Sequence, residues 1–148
     1  MHKATGETTR GVMRVAHHAR SAALVRRWLA EQLNGLSSEL VADATMVGTE
    51  LVANAIRHAT PLPGGVVSVG CEVTDTHIEI SVTDGGADTT PEPRKATMED
   101  VDGRGLTIVD ALAQRWGVRT GIDGQSVWAW LGPVRAALTG GPGVGSAA

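Results

Sequence analysis

The sequence predicts an α+β fold in two layers, with helices packed on one face of a mostly antiparallel sheet. Three observations carry this. Apolar residues recur at helical spacing early in the chain, period-two alternation takes over after Pro63, and the helical patterns are grouped before most of the strands.

The elements follow in order. GVMRVA (11–16) reads as a short strand. From about 19 to 33, Ala22, Val25, Leu29 and Leu33 recur at helical spacing, and Asn34-Gly35 ends the helix. Ser37 or Ser38 can cap a longer helix reaching about Ala59, with an apolar stripe of Leu40, Ala44, Val47, Leu51 and Ala55. Pro61 and Pro63 prevent its continuation. VVSVGCEV and HIEISVTD alternate in period two around Thr74-Asp75-Thr76, a hairpin signal. Residues 84–102 mix glycine, proline and charge without periodicity and read as a long loop, a feature that in compact domains is usually functional. GRGLTIVDALAQ resumes a helix, and WGVRT and SVWAWL close the chain's pattern as a hairpin across Gly121 to Gly124. No internal repeat is visible.

With 148 residues the chain fits one domain, expected over 11–135, with a flexible start at 1–10 and a disordered Gly-rich tail at 136–148. The formal charge of -3 provides no basic field for sequence-independent nucleic-acid binding. No stretch approaches the roughly 20 apolar residues that cross a bilayer. One cysteine and a start without a signal-peptide pattern lead to the expectation of a cytoplasmic protein. Phe and Tyr are absent, so Val, Leu, Ile and Ala must build the core.

Three local features carry chemistry. The first is ELVANAIRHA (50–59), which puts Glu50, Asn54, Arg57 and His58 within roughly a quarter turn at the edge of the apolar stripe. Such an edge lines a pocket or is simply solvated. The second is Asp84, which shares its parity with Ile78, Ile80 and Val82, so the row facing the helices ends in a carboxylate. A carboxylate there needs a donor, and it suits the amino edge of a base, with Gly85 and Gly86 allowing close backbone approach. An Asp-Gly turn closing the strand is the plain alternative. The third is GRGL (103–106), glycines at a helix start, where free backbone N–H groups favour phosphate. A lone GxG is as readily a turn, and no GxxxxGK[ST] loop is present.

Taken in order, ELVANAIRHA, DGGAD and GRGLTIVDALA resemble the N-box and the two glycine boxes of the GHKL, or Bergerat-fold, ATPases. Within that family the resemblance is closest to stand-alone anti-sigma factor serine/threonine kinases and related actinobacterial ATP-binding regulators, and it covers about 11–131. It implies ATP and Mg²⁺ as cofactors. By the resemblance Asn54 coordinates Mg²⁺, Glu50 polarises the attacking hydroxyl or water, and Asp84 accepts from the adenine amino group. Gly86 shapes the base pocket, and Gly103, Arg104, Gly105 and Leu106 hold phosphates through main-chain N–H groups. Arg57, His58 and Thr107 join the nucleotide-contacting set, with packing an equal alternative for His58. Residues 87–102 correspond to the lid. Asp88 stands where the first glycine box usually has its second glycine, and no phosphoacceptor-histidine domain precedes the unit, which argues against a conventional sensor histidine kinase.

The implied partners are a sigma factor and an anti-sigma factor antagonist phosphorylated on serine, with no direct nucleic acid or membrane contact; a homodimer is compatible. Two other readings share the motifs: a catalytically inactive, nucleotide-dependent binding module, and a nucleotide-free scaffold.

Other residues carry plainer expectations. His17-His18 belongs to no HxxxH or HExxH pattern and gives no zinc site. Cys71, between Val69 and Val73 on one strand face, is expected to be a small buried residue. Trp128 and Trp130 share a face, as core or interface, and Arg20, Arg26 and Arg27 form a solvated helix face open to an acidic partner.

Overall fold

The computed structural model describes residues 8–86 and 104–134, with Arg104 and Gly105 described by backbone alone. Eight elements follow one another: β1 (Thr9–Ala16), α1 (Ser21–Gln32), α2 (Ser38–His58), β2 (Val66–Val73), β3 (Ile78–Asp84), α3 (Arg104–Leu112), β4 (Arg115–Thr120) and β5 (Gln125–Leu131). The expected α+β architecture is present. Its five-stranded sheet has the order β1-β2-β3-β5-β4, and every neighbouring pair is antiparallel. β1 begins two residues before the expected strand. The expected tail at 136–148 lies outside the described residues.

The layer contact follows from periodicity. Val67, Val69, Cys71 and Val73 of β2, with Ile78, Ile80 and Val82 of β3, form the buried rows, while intervening positions stay half-exposed. Val25 and Leu29 of α1 and Ala44, Val47, Leu51 and Val52 of α2 share this core, and Leu106 and Val109 of α3 join it with that helix packed chiefly on α2. Cys71 is part of this core, as its strand parity requires, and burial pushes its thiol up to about 12. Gly48 leaves room on α2 for Leu29 of α1: a Cβ there would meet the Leu29 Cδ1 methyl.

The helix ends have identifiable causes. Ser37, rather than Ser38, caps α2, its Oγ accepting from the Leu40 N–H at 3.2 Å. Arg57 and His58 occupy its last turn, where cations complement the helix dipole. Gly35, at φ 98°, supplies the left-handed residue that reverses the chain between α1 and α2. α1 has no side-chain cap, but buried Ser21 donates to the Ala16 carbonyl at 2.6 Å, tying the helix start to the end of β1. Among the described residues, no helix is long and apolar enough to cross a membrane.

Trp128 and Trp130 do share a face, as their parity demands, but it is the face turned away from the helices. They are half-buried there and take no part in the core. Trp116, of opposite parity, packs against the core and donates from Nε1 to Asp110 at 3.0 Å.

Candidate nucleotide site

At one end of the layer contact, the helices and the sheet leave a cavity of about 130 Å³. α2 contributes Leu51, Asn54, Ala55 and His58, β3 contributes Val82 and Asp84, and α3 contributes Leu106. Val118, Gln125 and Val127 complete the sheet wall. Two polar side chains dominate it. Asn54 is 9% exposed and Asp84 is 3% exposed.

Helical geometry explains which members of the polar stripe reach the cavity. Taking Glu50 as zero and about 100° per residue, Asn54 and His58 fall at about 40° and 80°, flanking Val47 at about 60° and approaching Leu51 at about 100°. Arg57 falls on the far side, at about -20°. Accordingly Asn54 and His58 line the cavity, Arg57 is exposed away from it, and Glu50 is half-buried on the next turn, outside its lining. The stripe is therefore divided. The buried Asn54 Oδ1 has no hydrogen-bond partner. An unpaired buried acceptor costs roughly 1–3 kcal/mol, so it marks a place where a ligand would supply what the fold does not.

Asp84 is held differently. The backbone N–H of Gly86 donates to its Oδ1 at 2.7 Å, a turn that Gly86 makes possible at φ 89°. Burial raises the carboxyl above its ordinary value, opposed by the Gly86 hydrogen bond and by the nearby His17. Asp84 as a whole lines the cavity, so its carboxylate is within the wall that a ligand's donor would meet.

The residues after α2 and after β3 fasten together beneath this carboxylate. Thr60 donates to the Gly86 carbonyl from its N–H at 2.9 Å and from its Oγ1 at 2.8 Å, and the Gly85 N–H returns a bond to the Thr60 carbonyl at 2.8 Å. A Cβ at Gly85 would collide with the Pro61 carbonyl oxygen. From the other side, Gly124 lets the β4–β5 turn close onto Asp84, whose carbonyl oxygen a Cβ there would strike. His17 donates from Nε2 to the Ala59 carbonyl at 2.8 Å and so anchors the end of α2 to the β1–α1 connection. It is a structural tie, with a charge effect on Asp84.

Of the GRGL stretch, Gly103 lies outside the described residues. α3 begins at Arg104, and Leu106, 2% exposed, brings the first turn of that helix to the cavity. Thr107, on the same turn, is exposed and engaged in an interaction of its own. Asp88 and the expected lid at 87–102 are outside the described residues.

A family model for the histidine kinase-like ATPase domain matches residues 13–130. The chain belongs to that family. Membership spans β1 to β5 and agrees with the resemblance borne by the N-box and the glycine boxes. It also implies ATP binding. No curated protein matches the chain. Among solved structures, the crystal structure of the RsbU and RsbW domains of Rv1364c from Mycobacterium tuberculosis is similar, with a TM-score of 0.65 and 19% identity over 87% of this chain. This ATPase domain spans 33% of that longer chain, and at such identity the likeness speaks for the fold alone.

Sequence reasoning missed Gln125, Val118 and the anchoring roles of His17 and Thr60. For Gln125 a signal existed: it shares the parity of Ala129 and Leu131 on β5. Its position opposite Asp84, however, is set by strand register, which the sequence does not display.

Proposed function

We propose that the protein is an ATP-binding regulator with serine/threonine protein kinase activity of the anti-sigma factor type, acting on a serine of an antagonist protein. The observation that carries the nucleotide reading is the pairing, in one cavity, of an unpartnered buried amide oxygen on Asn54 with a buried carboxylate on Asp84. Adenine offers an amino donor to Asp84, and guanine presents a carbonyl at that place, so ATP is favoured over GTP.

Asn54 fits a Mg²⁺ site. The ion prefers oxygen ligands and retains waters, so one amide oxygen and the triphosphate oxygens suffice. Among the described residues no three His, Cys, Asp or Glu side chains converge to hold an ion by themselves, so the remaining ligands would come from the nucleotide. Bound there, the ion would neutralise charge on the phosphates. The first turn of α3 presents backbone N–H groups for the phosphate end.

Glu50, one turn before Asn54 and half-buried outside the cavity's lining, is the group to take the proton from an incoming serine hydroxyl. The oxygen then bonds to the γ-phosphorus as the bond to the β-phosphate oxygen breaks, leaving phosphoserine and ADP. The partners, a sigma factor and its antagonist, rest on the sequence resemblance and on the similar fold having RsbW domains among its solved examples.

The decisive experiment incubates the protein with γ-labelled ATP, Mg²⁺ and a panel of candidate antagonists. Label on an antagonist serine supports the kinase reading. ATP binding without transfer to any of them makes the chain a nucleotide-dependent binding module, and no adenine-nucleotide binding at millimolar concentration removes both.

A further inference from the structure

The sheet face turned away from the helices has a regular composition that the nucleotide site does not use. Strand register places its side chains in three rows. One runs Arg10, Glu72, Glu79, Trp130, Arg115; the next Val12, Gly70, Ser81, Trp128, Gly117; the third Arg14, Ser68, Thr83, Ser126, Arg119. Each outer row thus begins and ends in arginine, on the edge strands β1 and β4, and all four arginines are exposed. The middle row is floored by glycine and serine.

The two halves of this face differ. Over β4 and β5 the side chains are already engaged. Arg119 pairs with Glu79 at 3.2 Å and lies over the Trp128 ring at 4.9 Å, and Arg115 lies over Trp130 at 5.3 Å. Trp130 donates to Glu79 at 2.9 Å and stacks on His77, ring centroids 4.4 Å apart. Trp128 leans across Gly117, where a Cβ would sit 2.9 Å from its ring. Over β1 to β3, in contrast, a trough of about 180 Å³ lies open along Arg10, Val12, Gly70 and Ser81. Val12 is 63% exposed in it. Among the described residues, only Arg119 of the four arginines is ion-paired.

We infer that this face docks an acidic amphipathic helix of a protein partner. Charge complementarity chooses the occupant: the face carries four arginines against Glu72 and Glu79 in a chain whose formal charge is -3. Like-charged Glu72 and Glu79 are directly opposed, which is unfavourable by itself. Glu79 is neutralised by Arg119, and Glu72 stands opposite Arg10. The rims remain cationic. Dimensions agree as well. The arginine edges are four strand spacings apart, about 19 Å, and Arg10 and Arg14 are about 13 Å apart along β1. A helix of about 10–12 Å diameter fits between them, its apolar side on Val12 and the indoles and its carboxylates toward both rims. Trp128 and Trp130, half-buried beside Arg119 and Arg115, supply contact area of the kind that aromatic residues characteristically give an interface. The surface is on the opposite side of the sheet from the Asn54–Asp84 cavity, so it stands whether or not the nucleotide reading does.

The test uses a dye-labelled, designed amphipathic helix with glutamates along one face and leucines on the other, titrated with the full chain and followed by anisotropy. Binding is expected to weaken steeply with salt, and Arg10→Glu/Arg14→Glu to weaken it by about tenfold or more while nucleotide affinity is unchanged. Val12→Glu should weaken it too. The inference is overturned by unchanged probe affinity in these variants, or by an equal loss in Arg26→Glu/Arg27→Glu on the exposed face of α1. It is likewise overturned if sedimentation shows that the wild type self-associates through this face and Arg10→Glu/Arg14→Glu is monomeric. Circular dichroism of each variant separates lost docking from lost fold.

Discussion

Asn54, on α2, and Asp84, at the end of β3, line one cavity from the two layers of the fold, both buried but differently hydrogen-bonded. Asp84 has an internal donor in the Gly86 N–H; the Asn54 Oδ1 has none. An unpaired buried acceptor and a buried carboxylate both cost stability in the folded chain, so each can be tested by its effect on stability as well as on binding.

For Asn54 this means that function and stability separate. Asn54→Ala removes a buried, unpaired acceptor, so thermal stability should be unchanged or raised, by up to about 1–3 kcal/mol. Mg²⁺-dependent ATP affinity should fall sharply in the same variant. Calorimetric titration with and without Mg²⁺, beside thermal unfolding, checks both; a variant that is destabilised yet binds normally would make Asn54 a structural residue.

Asp84 should show the same separation through pH. Burial raises its folded-state value above 3.8, so the folded state binds the proton more tightly than the unfolded chain does. Its contribution to stability is therefore most favourable at acid pH and declines as pH rises from about 3.8 through the folded-state value. Asp84→Asn, which keeps an acceptor for the Gly86 N–H, should match the wild type at the acid end and become the more stable protein as pH increases. Urea midpoints across that range measure it; a gap that closes with rising pH contradicts the assignment.

The base readout follows from the same residue. Asp84→Asn should weaken ATP binding by about 1–3 kcal/mol, and GTP should bind the wild type poorly. Equal wild-type affinity for the two nucleotides would reduce Asp84 to a turn residue.

Glu50 should differ from Asn54 in which step it affects. Glu50→Ala should retain most nucleotide affinity but lose phosphoryl transfer by roughly 10² to 10⁴. Single-turnover transfer to an antagonist, compared with ATP affinity, distinguishes the two. Transfer that survives the substitution leaves Glu50 without a role in proton removal.

Cys71 gives a control on the core that is independent of the site. With its thiol buried and pushed up to about 12, alkylation of the native protein at neutral pH should be negligible and should become rapid in denaturant. Fast labelling of the folded chain would mean that the contact between sheet and helices opens readily.

Much of this molecule was determined by local sequence. The alternation of VVSVGCEV and HIEISVTD settled which strand face is buried, because period two leaves one choice once the apolar row is known. It placed Cys71 inside and Asp84 at the end of the inward row. Helical spacing likewise put Asn54 and His58 nearer the apolar stripe than Glu50 and Arg57, and Pro61 stopped α2 within reach of the site. The order of the N-box and glycine boxes carried the family. Tertiary structure decided what depends on pairing between distant segments. β5 inserts between β3 and β4, which sets Gln125 opposite Asp84 and lines up the arginines of β1 and β4 at the two edges of the open face. Thr60 meets Gly86 and His17 meets Ala59 for the same reason. Period and propensity act through near neighbours along the chain, whereas register and strand order come from the packing of the whole sheet, which no single stretch encodes.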